Sequence, residues 1–425
     1  MGIKIISDIP KSKVIMPTSN DALLRETTDG RPAETITGPL ILLFAIAVGT
    51  IVTNLFAPQT LIGPIGRSLG IDPGASGLIA TATLLGYAAG LFLLVPLADL
   101  LENRRLIVRM LVCAALAAGL ATLAPDAVVL LILLFGLGAA CSAIQILVPI
   151  AASMAPAEQR GRVIGDVMSG LMVGILLARP LASFIADAYG WRAFYGISAL
   201  AMAVLTLVLA LRLPRRQPVA HTRYPALIAS LWHLLRAEPI LRRRALTASL
   251  AMAAFSLFWT SVALRLAQAP FELGQRGIAL FALVGAGGAV VTPLFGRAGD
   301  RGWTRPATIA SHLIMIAATA LAAWAGSFGN GASLVPLVSM GIAAVLLDVG
   351  VTGDQTLGRR AINLLQPEAR GRINGLFVGL FFLGGAVGSA AAGAAWAWGG
   401  WAAVSAIGVA FGLAALLTDF MRQPA

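Results

Sequence analysis

LLDVGVTGDQTLGRRAINLLQPEARGRINGLFVGLFFLGGAVGSAAAG, residues 346 to 393, repeats a pattern already present in IQILVPIAASMAPAEQRGRVIGDVMSGLMVGILLARPLASFIADAYGW, residues 144 to 191. Gln145, Arg160-Gly161-Arg162 and Trp191 stand in the first copy where Gln355, Arg370-Gly371-Arg372 and Trp401 stand in the second, each 210 positions later. An apolar helix, a short charged loop and a second Gly-rich apolar helix thus recur at one offset. A repeat of that size implies two halves built alike.

Working outward from the repeat, the whole chain is apolar. Of its 425 residues 58% are hydrophobic and 12% charged, with a mean hydropathy of +0.86. Soluble domains carry about a quarter charged residues, so lipid is the expected solvent. The formal net charge of +12 does not point to nucleic acid, because the basic residues sit between apolar spans and not in a folded polar domain. Cys113 and Cys141 both fall inside apolar segments, where they read as small packing residues. Neither a metal nor any other cofactor is expected.

A bilayer core about 30 Å thick takes about 20 apolar residues per helix. On that criterion spans are expected near 38 to 62, 75 to 98, 106 to 124, 128 to 151, 163 to 187 and 193 to 213. A second set is expected near 246 to 268, 277 to 297, 306 to 326, 332 to 356, 373 to 396 and 400 to 421. The chain divides accordingly into a polar N-terminal tail (1–37), a six-helix bundle (38–213), a linker (214–245) and a second six-helix bundle (246–425). The tail lacks the continuous apolar core of a signal peptide. If it is cytoplasmic, external loops keep only Arg67, Arg192 and Arg276 of the 31 lysines and arginines, and Arg179 and Arg265 lie within spans. The positive-inside rule then places both termini in the cytoplasm. The linker holds Arg215-Arg216, Arg242-Arg243-Arg244 and a weakly amphipathic run, ALIASLWHLLR, that suits an interfacial helix.

Between spans 8 and 9 the chain reads GRAGDRGWTRP, Gly296 to Pro306, and at the equivalent place in the first half VPLADLLENRR, Val95 to Arg105. Here the chain resembles the major facilitator superfamily, whose halves each carry a G-x-x-x-D-R-x-G-R-R loop between their second and third spans. The later copy keeps Gly296, Asp300, Arg301 and Arg305; the earlier keeps Asp99 and Arg104 but has Val95, Leu100 and Glu102 elsewhere. The PAEQRGR and PEARGR loops, with Glu158, Arg160, Arg162, Glu368, Arg370 and Arg372, resemble the same family. The resemblance implies an all-α membrane protein of twelve transmembrane helices in two pseudo-symmetric bundles, working by alternating access. An Asp at a helix end can accept from a neighbouring helix N-terminus and from loop arginines. These residues, with Arg105, are therefore the expected cytoplasmic gate; the alternative is turn anchors and solvated charges at the surface.

Span 5, GLMVGILLARPLAS, is similar to the G-x-x-x-x-G-P-x-x-G-G motif of the family's drug:proton antiporters, with Arg179 replacing the Gly before Pro180. That similarity, and a likeness to sugar-efflux permeases, implies export. The Arg often found four residues before a Gly in span 4 is Ile132 here. A guanidinium inside a span must face protein or a watery cavity, so Arg179 is a cavity candidate, or else half of a structural ion pair. Asp348, Thr352 and Gln355 share one stripe of span 10 at i, i+4, i+7. A desolvated carboxylate near an arginine can take and release a proton. Asp348 is thus the first candidate for proton coupling against a fixed Asp–Arg pair, with Asp166 and Asp354 as further candidates that also suit a gate. Spans 1 and 7 line the cavity in this family. Asn54 and Gln59 in the first, and Trp259 and Arg265 in the second, join Gln145 and Gln355 as candidate contacts to an amphipathic solute, although Arg265 suits the external interface and Trp259 the core. The Gly pairs 86 and 90, 170 and 174, 375 and 379, and 384 and 388 permit close helix contact, those of spans 5 and 11 being expected where the halves meet.

These readings converge on a monomeric secondary transporter of the bacterial inner membrane, with lipid, protons and a small organic solute (drug, sugar or siderophore-like) as partners. The alternatives are a proton-coupled uptake symporter, a uniporter, or a receptor or enzyme on a transporter-like scaffold. Nothing resembles a Walker loop. His221, His233 and His312 form no set of nucleophile, base and orienter, so no enzyme activity is expected.

Overall fold

The computed structural model describes residues 36–215, 217, 223–328, 334–366 and 369–420, and among these the regular structure is helical throughout. The first half runs α1 (Gly38–Phe56), α2 (Pro58–Leu69), α3 (Leu78–Leu93), α4 (Asn103–Ala121), α5 (Ala127–Cys141), α6 (Ile144–Ser153), α7 (Arg160–Tyr189) and α8 (Trp191–Arg212). The linker contains α9 (Tyr224–Ala237). The second half runs α10 (Pro239–Leu266), α11 (Gln275–Gly285), α12 (Thr292–Asp300), α13 (Thr304–Gly326), α14 (Leu334–Asn363) and α15 (Arg370–Phe420). Short 3-10 turns occupy Val95–Asp99, Ala157–Gln159 and Ala286–Val291.

Among the described residues nine helical stretches are long and apolar enough to cross a bilayer. The twelve expected spans are therefore not twelve uninterrupted helices. Span 1 is stepped where Pro58, which has no N–H to donate, opens α2. Span 8 is split by the 3-10 turn between α11 and α12. Spans 11 and 12 both lie in α15, whose path breaks at Gly399 and Gly400, the latter at φ +57°. In the first half Gly190, at φ +81°, makes the equivalent corner between α7 and α8. Both corners need a left-handed residue, which glycine supplies without steric cost, and each is followed by the repeated Trp.

Small residues let helix backbones touch where no hydrophobic force drives them together. A Cβ at Gly170 or Gly174 of α7 would strike the carbonyls of Ala45 or Gly49 in α1, and one at Gly384 or Gly388 of α15 would strike those of Ser249 or Ala253 in α10. The expectation that the glycines of spans 5 and 11 meet between the halves is corrected for these two pairs, each of which seals its own bundle, but it holds for Gly379, where a Cβ would strike the Phe92 ring of α3. The halves meet instead along α3 and α15, where Gly77 lies against Ser389 and Gly393 and Thr81 Oγ1 donates to the Ala386 carbonyl at 3.2 Å. Between α7 and α11, Asp187 and Arg276 pair at 3.5 Å, at the end opposite the basic loops.

Gly384→Val should cost about 1 to 3 kcal/mol through overpacking, whereas Gly375→Ala, with nothing within 4 Å of the added carbon, should stay within about 0.5 kcal/mol. Thermal unfolding in detergent compares the two, and equal melting temperatures would contradict the packing account.

Candidate transport site

Residue Arg179 of α7 is 4% exposed. A charge in the middle of a span costs about 3 kcal/mol on insertion scales, so protein groups must receive it. Its Nε donates to Gln59 Oε1 of α2 at 2.8 Å. The guanidinium carbon lies 4.2 Å from the ring centre of Trp259, 4.9 Å from that of Phe255 and 5.3 Å from that of Phe56. A desolvated cation–π contact contributes about 2 kcal/mol and a hydrogen bond to a charged group about 1.5 to 3 kcal/mol. Three rings and one such bond therefore offset the cost of burial.

This cage straddles the two halves. Gln59, Phe56 and Arg179 come from the first, Phe255 and Trp259 from α10 of the second. The indole Nε1–H of Trp259 then donates to Asp348 Oδ1 of α14 at 3.1 Å. No ion pair within 4 Å joins Arg179 to Asp348 directly; the indole lies between them. Two glycines make the arrangement possible, because a Cβ at Gly285 would strike the Trp259 ring and one at Gly288 would strike Asp348. Arg179 Nη2 and Gln59 Nε2 are buried donors without a partner.

Toward the basic end, Gln145 Nε2 donates to the Tyr87 hydroxyl at 3.2 Å, and the Tyr87 ring packs edge-on against Phe382 of α15 at 4.5 Å. Phe382 also lies 6.3 Å from Phe56, so an aromatic wall runs from the cage to Tyr87. The half-buried Gln355 lies two turns along α14 from Asp348. Toward the opposite end, a cavity of about 220 Å³ opens between Thr60, Arg67, Leu264, Gln268 and Trp396.

The other expected contacts sit elsewhere. Asn54 accepts from Ser198 at 2.6 Å within the first half. Arg265 spends its guanidinium on the carbonyls of Gly326, Ala269 and Phe328, tying the end of α10 to that of α13. Asp166 is exposed and 4.0 Å from Arg162. Asp354 is fully buried and bonds His312 Nε2 at 3.0 Å.

At the basic end Asp300 closes α12 and pairs with Arg360 of α14, not with the loop arginines of its own motif. Arg301 lies near the Trp303 ring, and Arg305 is exposed in the first turn of α13. In the degenerate first copy Asp99 is exposed and makes no ion pair within 4 Å. There Arg105 pairs with Glu102 at 2.8 Å and Arg104 donates to the Leu213 carbonyl. Arg160 donates to the Ala155 carbonyl and Arg372 to Ser230 of α9, while Glu158 and Arg370 are exposed. Glu368 lies outside the described residues. Sequence reasoning missed Arg360, Tyr87, Phe56 and Phe255. The doubled Arg359-Arg360 at the end of span 10 was the one available signal.

Residues 40–357 match the sequence profile of the Major Facilitator Superfamily. The chain belongs to this superfamily. It is 37% identical to the uncharacterized transporter YgaY of Escherichia coli O157:H7, over 93% of this chain and 99% of that one. It is 26% identical to the inner membrane transport protein YdhP of Escherichia coli strain K12, over 90% and 96%. Among solved structures it is similar to the nucleoside transporter NupG (D323A mutant), with a TM-score of 0.70 at 14% identity over 89% and 98% of the two chains. A bacterial homologue of the human lysosomal transporter Spinster, inward-facing and occupied, matches at 0.65 and 15% over 90% and 96%. These likenesses establish the major facilitator fold and a multi-pass membrane transporter.

In such a transporter the Asp300–Arg360 contact ties two helices of one half at a membrane surface. Both side chains are partly solvated, so Asp300→Asn should remove up to about 1 kcal/mol from one conformation and slow solute flux by up to about five-fold with expression intact, as should Arg360→Gln. Flux in whole cells, normalised to membrane abundance, checks both, and wild-type flux in either would remove the latch.

Proposed function

We propose that this transporter exports a small organic solute (drug, sugar or siderophore-like) in exchange for protons, by alternating access, with both termini in the cytoplasm and as a monomer. The reading is carried by one observation: Asp348 of the second half is linked through the Trp259 indole to Arg179 of the first. A desolvated carboxylate near a guanidinium changes its proton affinity when that guanidinium moves. A solute that inserts among the aromatic rings and accepts from Arg179 Nη2 and Gln59 Nε2 would loosen the link between the halves, so solute and proton occupy the site in turn. Rocking of the bundles then exposes Asp348 to one side or the other.

The test is solute-driven proton flux in proteoliposomes containing the purified protein and a pH-sensitive dye, screened over drugs, sugars and metal chelators. Protons moving against the solute are expected. Protons moving with it would make the protein a symporter, and solute movement with none would remove Asp348 from coupling. Asp348→Asn should transport without responding to the pH gradient. Arg179→Ala should weaken solute affinity about 10- to 100-fold, the loss of one charged hydrogen bond of about 1.5 to 3 kcal/mol, measured by equilibrium binding to the solute found in the screen.

A further inference from the structure

A second buried cluster of charges lies within the second half and takes no part in the Arg179 cage. His312 of α13 and Asp354 of α14 are wholly buried, and Asp419 of α15 is 3% exposed. His312 Nε2 is 3.0 Å from Asp354 Oδ1, and Nδ1 is 3.1 Å from Asp419 Oδ2. From α10, Arg243 Nη2 reaches Asp419 Oδ1 at 2.9 Å and Arg244 Nη1 reaches it at 3.5 Å. Arg244 also donates to Thr308 of α13 at 3.3 Å. Four helices therefore converge on one imidazole. Their close approach is permitted by Gly350 and Gly353 of α14, where a Cβ would strike Met315 and the Ser311 carbonyl, or Ser311 Oγ and the Phe295 ring of α12.

The proton inventory follows from the geometry. A neutral imidazole has one N–H and one lone pair. With a carboxylate oxygen at each ring nitrogen, a lone pair on either would face negative charge without water to separate them. A proton on Asp419 would relieve that contact, but its other oxygen is held by two guanidiniums, which favour the carboxylate. Asp354 has His312 as its hydrogen-bond donor, and its second oxygen is buried without a partner. Protons on both ring nitrogens set a positive charge between the two carboxylates: Nε2 hydrogen-bonds Asp354, and Nδ1 forms a 3.1 Å ion pair with Asp419 whose two atoms lie outside hydrogen-bond geometry.

We propose that His312, Asp354 and Asp419 form a proton-binding site in the second half, holding an imidazolium between two carboxylates, separate from Asp348. The site ties α13, α14 and α15 together and, through Arg243 and Arg244, fastens α10, whose Trp259 lines the cage. Loss of the proton weakens a joint of the bundle that must move as one body. This assignment stands whether or not Asp348 carries the coupling proton.

The test is nitrogen NMR of the full-length protein with ¹⁵N-labelled histidine rings in nanodiscs at about pH 7.5, where an ordinary histidine of pKa about 6.5 is about nine-tenths neutral. The chain has three histidines, and His312→Gln identifies the resonance. His312 should show both nitrogens protonated, and Asp354→Asn should turn the ring neutral. A neutral ring in the wild type would overturn the proposal, as would an imidazolium that persists in both Asp354→Asn and Asp419→Asn. If His312→Gln does not fold, the two Asp→Asn spectra decide alone, each with a native elution volume as the fold control. Solute flux gives a second reading. Wild-type flux should fall with alkaline pH and that of folded Asp354→Asn should lose this dependence, whereas an unchanged profile would overturn the role of the proton in transport.

Discussion

A guanidinium inside a membrane helix must be received by protein, and in this chain the reception of Arg179 shapes the junction of the two halves. No single partner does it. One amide oxygen, three aromatic faces and a carboxylate beyond an indole share the charge. Because the receiving groups come from both bundles, the interaction that makes the residue tolerable in lipid is also one that ties the bundles together. A movement that parts the bundles must therefore provide the cation with another partner.

The remainder of the fold permits that movement. Glycines bring α7 onto α1 and α15 onto α10 at backbone contact, which makes each bundle stiff through dispersion and close packing. Between the bundles the contacts are fewer in kind: a stripe along α3 and α15, a salt bridge from Asp187 to Arg276, and the cage. Stiff bodies joined along narrow stripes can rock as units. The 3-10 turn that interrupts span 8 lies beside Asp348, so irregular backbone of the second half borders the site.

Three groups of charged residues differ in their physics. Those at the basic end, such as Arg162 and Asp166, are solvated and individually weak. The cage is desolvated and spans both halves. The cluster around His312 is desolvated and confined to one half, where it joins four helices. Asp354 looks in sequence like a neighbour of Asp348 on the same helix, yet it points into this third group.

What the sequence by itself determined was the class, the duplication and the family. Hydropathy and the offset repeat demand two similar helical bundles in lipid, and the loop motifs identify which bundles. It also picked out Arg179, Gln59, Trp259 and Asp348, because polar groups in an apolar helix have few places to go. Only the tertiary structure decided partnership. The i, i+4, i+7 stripe of span 10 could not say that Asp348 meets Trp259 while Asp354 meets His312, since those partners lie on helices 42 to 89 residues away. Nor could it say that Asp300 chooses Arg360 over the arginines beside it, or that Arg265 and Asn54 are already satisfied by Gly326 and Ser198. A hydrogen bond is settled over about 3 Å, and which groups come that close is fixed by how the helices are rotated and stacked, a property of the packed chain and not of any one segment.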